Sequence, residues 1–389
     1  MSKKIAVGID VGTYQVKVII TELIKDNGRY TPRIIGKGLY KSRGLRHGYI
    51  INRNEVTRSV IQAVSQAEQE AGVRVKKAYI SIGGVGLEGV NLKNTTIITR
   101  ADSEITQIDI DNVLTENEDN PVLVNKKVIC TIPIEYKIDD RKVLGNPIGM
   151  KGTKLKSEIL YITSLKQHLH DLIQAVEETG IEIEDIYPSP IAGSFVTLNK
   201  SQKIAGCVLA NLGAETVSII VFENNIPISL EVFPVGSTNI TNNIALELKI
   251  SLEDAEKIKQ GILTSTIYPR KKLEDVVETQ LNVIFKLIEA HLKKINRNEL
   301  LPAGIIISGG GSGITTIKDL AEASLNLPSR IANLNFVGGS SKIIQDSTWA
   351  VAYGLCLMGL TSEKEEGGSI SGARKTFSSF KKWITQFFV

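Results

Sequence analysis

Cysteine is scarce in this chain. Its three copies, Cys130, Cys207 and Cys356, lie far apart with no CxxC or Cys/His spacing, which excludes a disulfide framework and a zinc site. They read as buried thiols of a reducing cytoplasm. Histidine is nearly as rare. Of His47, His168, His170 and His291, the one close pair stands two apart in a helical stretch and points to different faces, so a metal-ligand role is excluded. No run of roughly eighteen apolar residues occurs, and "MSKKIAVGID" passes from lysines into a strand pattern without the apolar stretch of a secretion signal. The expectation is a cytosolic protein that does not span a membrane. The glycine turn in "VGIDVGTYQVKVII" is followed by no GxxxxGK[ST] and leads to a second strand, so it is neither a P-loop nor a dinucleotide fingerprint.

What is present is length, with a balanced body. The 389 residues suffice for two or more domains with real cores. Net charge is +4, and after Glu366 come Arg374, Lys375, Lys381 and Lys382 with no acidic side chain. The tail therefore carries the excess, and the body implies no basic groove for nucleic acid.

Apolar alternation and turn residues show one half of the chain occurring twice. Strands are predicted near 4–10, 15–24 and 33–41, a helix near 53–72 and a strand over 76–84. After an interruption, "SLKQHLHDLIQAVEETG" predicts a helix ending at Gly180 and "IEIEDIYPS" a strand. The second half repeats the order with strands near 204–211, 215–222 and 226–234, a helix near 237–248, a strand in "AGIIISGGG" and a helix near 314–325. Its own interruption, about 249–303, is helical, with "SLEDAEKIKQG" opening on a Ser251 cap and closing on Gly261. Two such units imply two similar α/β domains facing a shared cleft, the default place for a ligand.

The repeat gives meaning to "VGIDVGTYQVKVII", which alone would be a plain hairpin. Its partner in the second half is "LANLGAETVSIIVF". Two opposed turns of small residues can present backbone N–H groups to a polyphosphate from both sides. In the first turn Gly12 allows close approach, Thr13 and Tyr14 add hydroxyls, Lys17 supplies a point charge, and Asp10 suits a magnesium shell through water. A third element, Gly309, Gly310 and Gly311, ends a strand directly before a helix and offers bare backbone to an adenine or phosphate.

Assembled, the pattern resembles the actin, sugar-kinase and heat-shock-chaperone superfamily. The first-domain insertion falls late, at 85–162, and this placement resembles the FtsA family of bacterial cell-division proteins. So do "GLRHGYIINRNEVTRSVIQAVSQAE", "YISIGGVGLEGVN", "IPIEYKIDDRKVLGNPIGMKGTKLKSEILYITS" and "FPVGSTNITNNIALELKISLEDAEKIK". The resemblance covers essentially the whole chain. It implies an α/β, actin-like (ribonuclease H-like) duplicated two-domain fold with a nucleotide cleft, one small α/β insertion subdomain and a C-terminal amphipathic helix. The first core domain would comprise 1–84, 163–192 and 348–360, and the second 193–230 and 304–347. Residues 85–162 would serve filament contacts and later division proteins, and 231–303 would receive the C-terminal peptide of the tubulin-like protein FtsZ. The basic pair Lys293 and Lys294 is first a solvated helix face.

The resemblance also implies ATP and Mg2+ as ligands. It carries over Asp10 (to magnesium through water), Gly12, Thr13, Tyr14 and Lys17 to the first phosphate turn, Asn211, Gly213 and Thr216 to the second, and Gly309, Gly310 and Gly311 to the adenosine side. Glu256 and Lys259, one turn apart on a helix, match a pair that reaches ribose and adenine; without the family they would be an ordinary surface ion pair. The departures bear on chemistry. Relatives read close to DLGAGTTD in the second turn, where this chain has Asn211, Glu215 and Ser218, and Ser189 stands where Glu or Gln is common. Asn211 cannot act as a base near neutral pH, so no catalytic residue is assigned and ATP is expected as a structural ligand with at most weak turnover. Glu215 beside a polyphosphate is repulsive unless it turns outward or gathers the metal.

The stretch 361–375 is polar and rich in Gly and Ser, so it is expected to be a flexible linker. In 376–389, Phe377, Phe380, Trp383, Ile384, Phe387 and Phe388 fall within an arc of roughly 140° on a helical wheel, beside Lys381 and Lys382. An aromatic face flanked by lysines is how a helix lies in a bilayer interface, and FtsA proteins end in such a membrane-targeting helix. The implied function is an adaptor that tethers FtsZ to the cytoplasmic face of the membrane at the septum and self-assembles there. The alternatives are a PilM-type pilus-assembly protein, against which the tail argues, and a small-molecule kinase, for which the catalytic carboxylate is missing.

Overall fold

A computed structural model describes residues 4–26, 29–115, 123–262, 268–334 and 346–362. The terminal helix expected over 376–389 lies outside them, as does the linker from 363 onward.

The chain opens with β1 (Lys4–Val11), β2 (Gln15–Asp26) and β3 (Arg29–Lys41), then a short hairpin of β4 (Leu45–Arg46) and β5 (Tyr49–Ile50). Helix α1 (Arg53–Ala71) starts where the Asn52 side chain accepts from the Glu55 amide and stops at Gly72, whose φ is +66°. Its buried stripe of Val56, Val60, Ala63, Val64 and Ala67 follows helical spacing. The stripe rests on β3 at two glycines: a Cβ on Gly38 would fall 1.8 Å from the Ala63 carbonyl oxygen. Gln66 and Glu70 on α1 then accept from the Leu39 and Lys37 amides of β3, the outer strand of its sheet. Strand β6 (Lys77–Ile82) follows.

The insertion holds β7 (Glu88–Ile97), α2 (Gln107–Leu114), β8 (Lys126–Ile138), β9 (Arg141–Val143) and β10 (Lys154–Leu165), with sheet order β7-β10-β8-β9. The chain returns through α3 (Lys166–Glu177), β11 (Glu182–Pro188), α4 (Ser189–Thr197) and α5 (Lys200–Ala205). The second half is β12 (Cys207–Leu212), β13 (Val217–Glu223), β14 (Ile226–Phe233), α6 (Ser237–Leu248), α7 (Leu252–Lys259), α8 (Arg270–Lys294), β15 (Ile305–Ser308), α9 (Ile317–Leu325) and β16 (Ser329–Ile331). The last described helix, α10 (Ala350–Ser362), packs back onto β1 and α4.

The duplication is plain in the sheets. One runs β11-β6-β1-β2-β3 and the other β16-β15-β12-β13-β14, each with two parallel and two antiparallel pairings in the same places. The insertion joins the halves: Gly89 of β7 lies against the backbone of Leu230 in β14, and Asn91 donates to the Ile228 carbonyl. Leu160 and Ile162 of β10 share one buried core with Leu230 and Phe222.

Some expected boundaries fall inside single elements. The division between 192 and 193 cuts α4, which packs along α10 with the Ala192 carbonyl against Gly354. The division between 230 and 231 cuts β14, whose ladder with β13 continues to Phe233. The strand expected from Ile204 begins at Cys207 because α5 and Gly206, with φ +100°, precede it. Thr361 and Ser362, placed in the linker, close α10. All three cysteines are free and buried, as expected.

Candidate functional site

The two opening hairpins are built alike. In the first, the Gly12 amide donates to the Gln15 carbonyl at 3.2 Å, and in the second the Gly213 amide donates to the Thr216 carbonyl at 2.9 Å. A Cβ on either glycine would fall 2.9 Å from that carbonyl, so the backbone at both turns is bare. Strand register pairs Asp10 with Lys17 and Asn211 with Ser218 in corresponding positions. Among the described residues, the amides of Thr13, Tyr14, Ala214 and Glu215 donate to no backbone carbonyl, which leaves them available to an anion.

Both turns open on one cleft of about 570 Å³. Its wall includes Asp10, Gly12, Thr13, Tyr14 and Lys17 from the first half and Asn211, Gly213, Thr216, Glu256, Lys259, Gly309 and Gly310 from the second. Tyr14 is 54% exposed at the mouth. Gly311 is the exception among the expected residues: it is buried and turned onto the Leu212 side chain, where a Cβ would lie 2.8 Å away. Its absence of a side chain serves packing.

Charge in the cleft is arranged in two groups. Asp10 accepts from the Ser81 hydroxyl at 2.7 Å; burial pushes its carboxyl up, against the pull of Lys17 and Ser81. Burial likewise pushes the Lys17 ammonium down, opposed by Asp10 and Asp346. On the far side Lys259, with a side chain only 6% exposed, donates to Glu256 at 2.7 Å, to the Thr241 hydroxyl at 2.9 Å and to the Ser237 carbonyl at 3.3 Å. Burial raises the Glu256 carboxyl, but the bonds from Lys259 and Thr241 outweigh it and hold it below the usual range. The pair is therefore pre-set across the ends of α6 and α7, at the cleft.

Glu215 turns outward. Its carboxylate accepts from the His47 amide at 2.6 Å, and its carbonyl accepts from His47 Nδ1 at 3.0 Å, which requires the proton on Nδ1. Sequence reasoning missed His47 and also Ser81. Ser81 was within reach, because the parallel pairing of Ile9 with Ile80 sets Asp10 beside it; no local signal joins His47 to a residue 168 positions away. His168 is a structural prop: Nε2–H donates to the Gly83 carbonyl at 2.9 Å and the ring meets Tyr49 edge-on.

The donor set fits a nucleotide polyphosphate. Paired bare turns, Lys17 and the strand-to-helix glycines match a long anion, and the Asp10 carboxylate, with Asp346 also in the cleft wall, would suit a hydrated cation. No group of three metal-ligating side chains occurs among the described residues, consistent with a metal held through water and phosphate oxygens.

A family model described as "Cell division protein FtsA" matches residues 208–354, and one described as "SHS2 domain inserted in FTSA" matches 85–163. Cell division protein FtsA of Pseudomonas aeruginosa is 27% identical across 98% of this chain and 98% of that one. The chain belongs to the FtsA family of cell-division proteins. The FtsA models thus cover the second turn, Glu256, Lys259 and the third glycine element, together with the whole insertion. Among solved structures, a PilM-PilN type IV pilus biogenesis complex aligns with TM-score 0.67 at 14% identity, over 91% of this chain and 98% of that one. MreB5 of Spiroplasma citri bound to ADP aligns with TM-score 0.52 at 13% identity, over 94% and 99%. At those identities the likeness shows the actin-like fold that this FtsA-family chain shares with them.

Proposed function

We propose that this protein is a nucleotide-binding adaptor that tethers FtsZ filaments to the cytoplasmic face of the membrane at the division septum and assembles with its own copies there. The observation that carries the reading is the duplicated glycine turn, Gly12 facing Gly213 across one cleft, in a chain of the FtsA family. ATP is held by the amides around Thr13, Tyr14, Ala214 and Glu215, by Lys17, and on the nucleoside side by Glu256, Lys259, Gly309 and Gly310. Asp10 would hold magnesium through water. The metal, when bound, would offset the charge of the polyphosphate beside the two turns.

Turnover is slow or absent. Asn211, Ser218 and Ser189 all line the cleft and none is a base at neutral pH. Membrane attachment rests on the aromatic and lysine pattern of 376–389; no described helix is long and apolar enough to cross a membrane. Residues 231–303 receive the FtsZ peptide, and 85–162 meets other division proteins.

The test is pelleting of the full chain with anionic liposomes and FtsZ filaments, with and without ATP and magnesium. FtsZ should pellet only when this protein is present. Lipid binding that leaves FtsZ in solution would refute the tether and favour the pilus-type reading.

A further inference from the structure

A direct polar bridge crosses the cleft at its turn end, and both of its feet are braced. On the second half, the turn that carries Glu215 is held from behind by α6: the Ser237 and Thr238 amides donate to the Gly213 and Ala214 carbonyls at 2.9 and 2.8 Å. Gly236 is pressed so close that a Cβ would meet the Ala214 carbonyl at 2.4 Å. On the first half, His47 has φ +49° and Gly48 has φ +84°. A Cβ on Gly48 would fall 2.3 Å from the Gly84 Cα, and the Val85 amide donates to the His47 carbonyl at 3.2 Å. Val85 is where the insertion leaves the core. The His47 backbone thus lies between the second turn and the root of the insertion, its N–H bonded to the first and its carbonyl to the second.

In a two-turn cleft the oxygens of a bound polyphosphate are what bridge the two sets of amides. Here the chain places its own carboxylate oxygen on an amide of the opposite half, at a charge-assisted distance of 2.6 Å. We propose that Glu215 is a built-in strut, which holds the turn end of the cleft closed without nucleotide and ties that closure to the position of the insertion. Glu215 is a positioning residue: it acts through His47 and touches no reacting atom. Its carboxylate is also kept off the phosphate path, which removes the repulsion that its position in the sequence suggests. The consequence for ligand retention rests on the nucleotide reading above; the strut itself does not.

Amide hydrogen exchange on the nucleotide-free full chain tests the strut. In Glu215→Gly, exchange over 44–50 and 83–86 should rise roughly ten- to a hundredfold, the factor expected for loss of a hydrogen bond to a charged acceptor. The strands β12 and β13 should stay protected, which reports an intact fold. Glu215→Gln keeps an acceptor and should remain within a few-fold of the parent. Unchanged exchange in Glu215→Gly, or an equal rise in both variants, overturns the proposal. A fluorescent ATP analogue is the second arm: it should dissociate faster from Glu215→Gly. If the parent binds no analogue, the nucleotide reading fails while the exchange result still decides the strut.

Discussion

Gly309 and Asn211 touch across the second sheet: a Cβ on Gly309 would fall 2.2 Å from Asn211 Oδ1 and 2.6 Å from the Leu212 carbonyl oxygen. Gly309 also has φ +84°, which an L side chain rarely adopts. The parallel register explains the meeting, since Asn211 pairs with Ser308 at the ends of β12 and β15. The second phosphate turn and the third glycine element are therefore one surface, and the side chain that replaces an acid in the family pattern lies at their junction.

Asn211→Asp should raise magnesium-dependent phosphate release by about tenfold. A well-placed general base gives roughly a hundredfold or more, and the shortfall reflects Ser189 and Ser218, which remain uncharged. Steady-state phosphate release by pure protein checks this. An unchanged rate would show that position 211 does not limit turnover.

Gly38→Ala should destabilise the protein severely, by about 3 kcal/mol or more, because a new methyl would overlap the Ala63 carbonyl on a rigid helix. Gly72→Ala is the control on the same helix: φ is +66° but nothing lies within 4 Å of the new Cβ, so the cost is that of backbone strain alone, about 1 kcal/mol. Thermal unfolding of the two variants should separate them by several degrees.

Deleting 376–389 should abolish pelleting with anionic vesicles and leave the melting temperature unchanged. The segment carries Lys381 and Lys382 and, within one arc of the helical wheel, Phe377, Phe380, Trp383, Ile384, Phe387 and Phe388, so bilayer contact is lost with it. A lower melting temperature would instead mean that the segment packs on the body.

How much of this was visible in the sequence depends on the range of the interaction. Both hairpin turns, the duplicated sheets and the helix at 53–71 follow from local alternation, Gly12, Gly213 and the Asn52 cap. Glu256 and Lys259 show only as an i,i+3 pair; their direction depends on Thr241 and Ser237 of another helix. The outward turn of Glu215 depends on His47, and the packing role of Gly311 on Leu212, contacts that spacing along the chain does not encode. The expected domain divisions at 192/193 and 230/231 cross α4 and β14, whose continuity past Gly193 and Glu231 depends on packing against α10 and pairing with β13.

Asp185 gives the clearest pH dependence. It lies in β11 beside a bulge, 8% exposed, and burial pushes its carboxyl up to about 6, with Glu184 adding to the rise; bonds from the Ile186 amide and Tyr187 oppose it. The unfolded chain ionises this group near its ordinary value, so between about pH 4 and 6 the folded state keeps a proton that the unfolded state has lost. Its contribution to stability is complete below that window, falls as pH rises through it and is flat above. At about 1.4 kcal/mol per pH unit the whole loss is on the order of 3 kcal/mol. Asp185→Asn keeps an acceptor for Ile186 without the buried charge, so it should melt higher than the parent at pH 7.5 and together with it near pH 4. Chemical denaturation of both proteins at the two pH values measures this, and a difference that does not change with pH would assign the buried charge no role in stability.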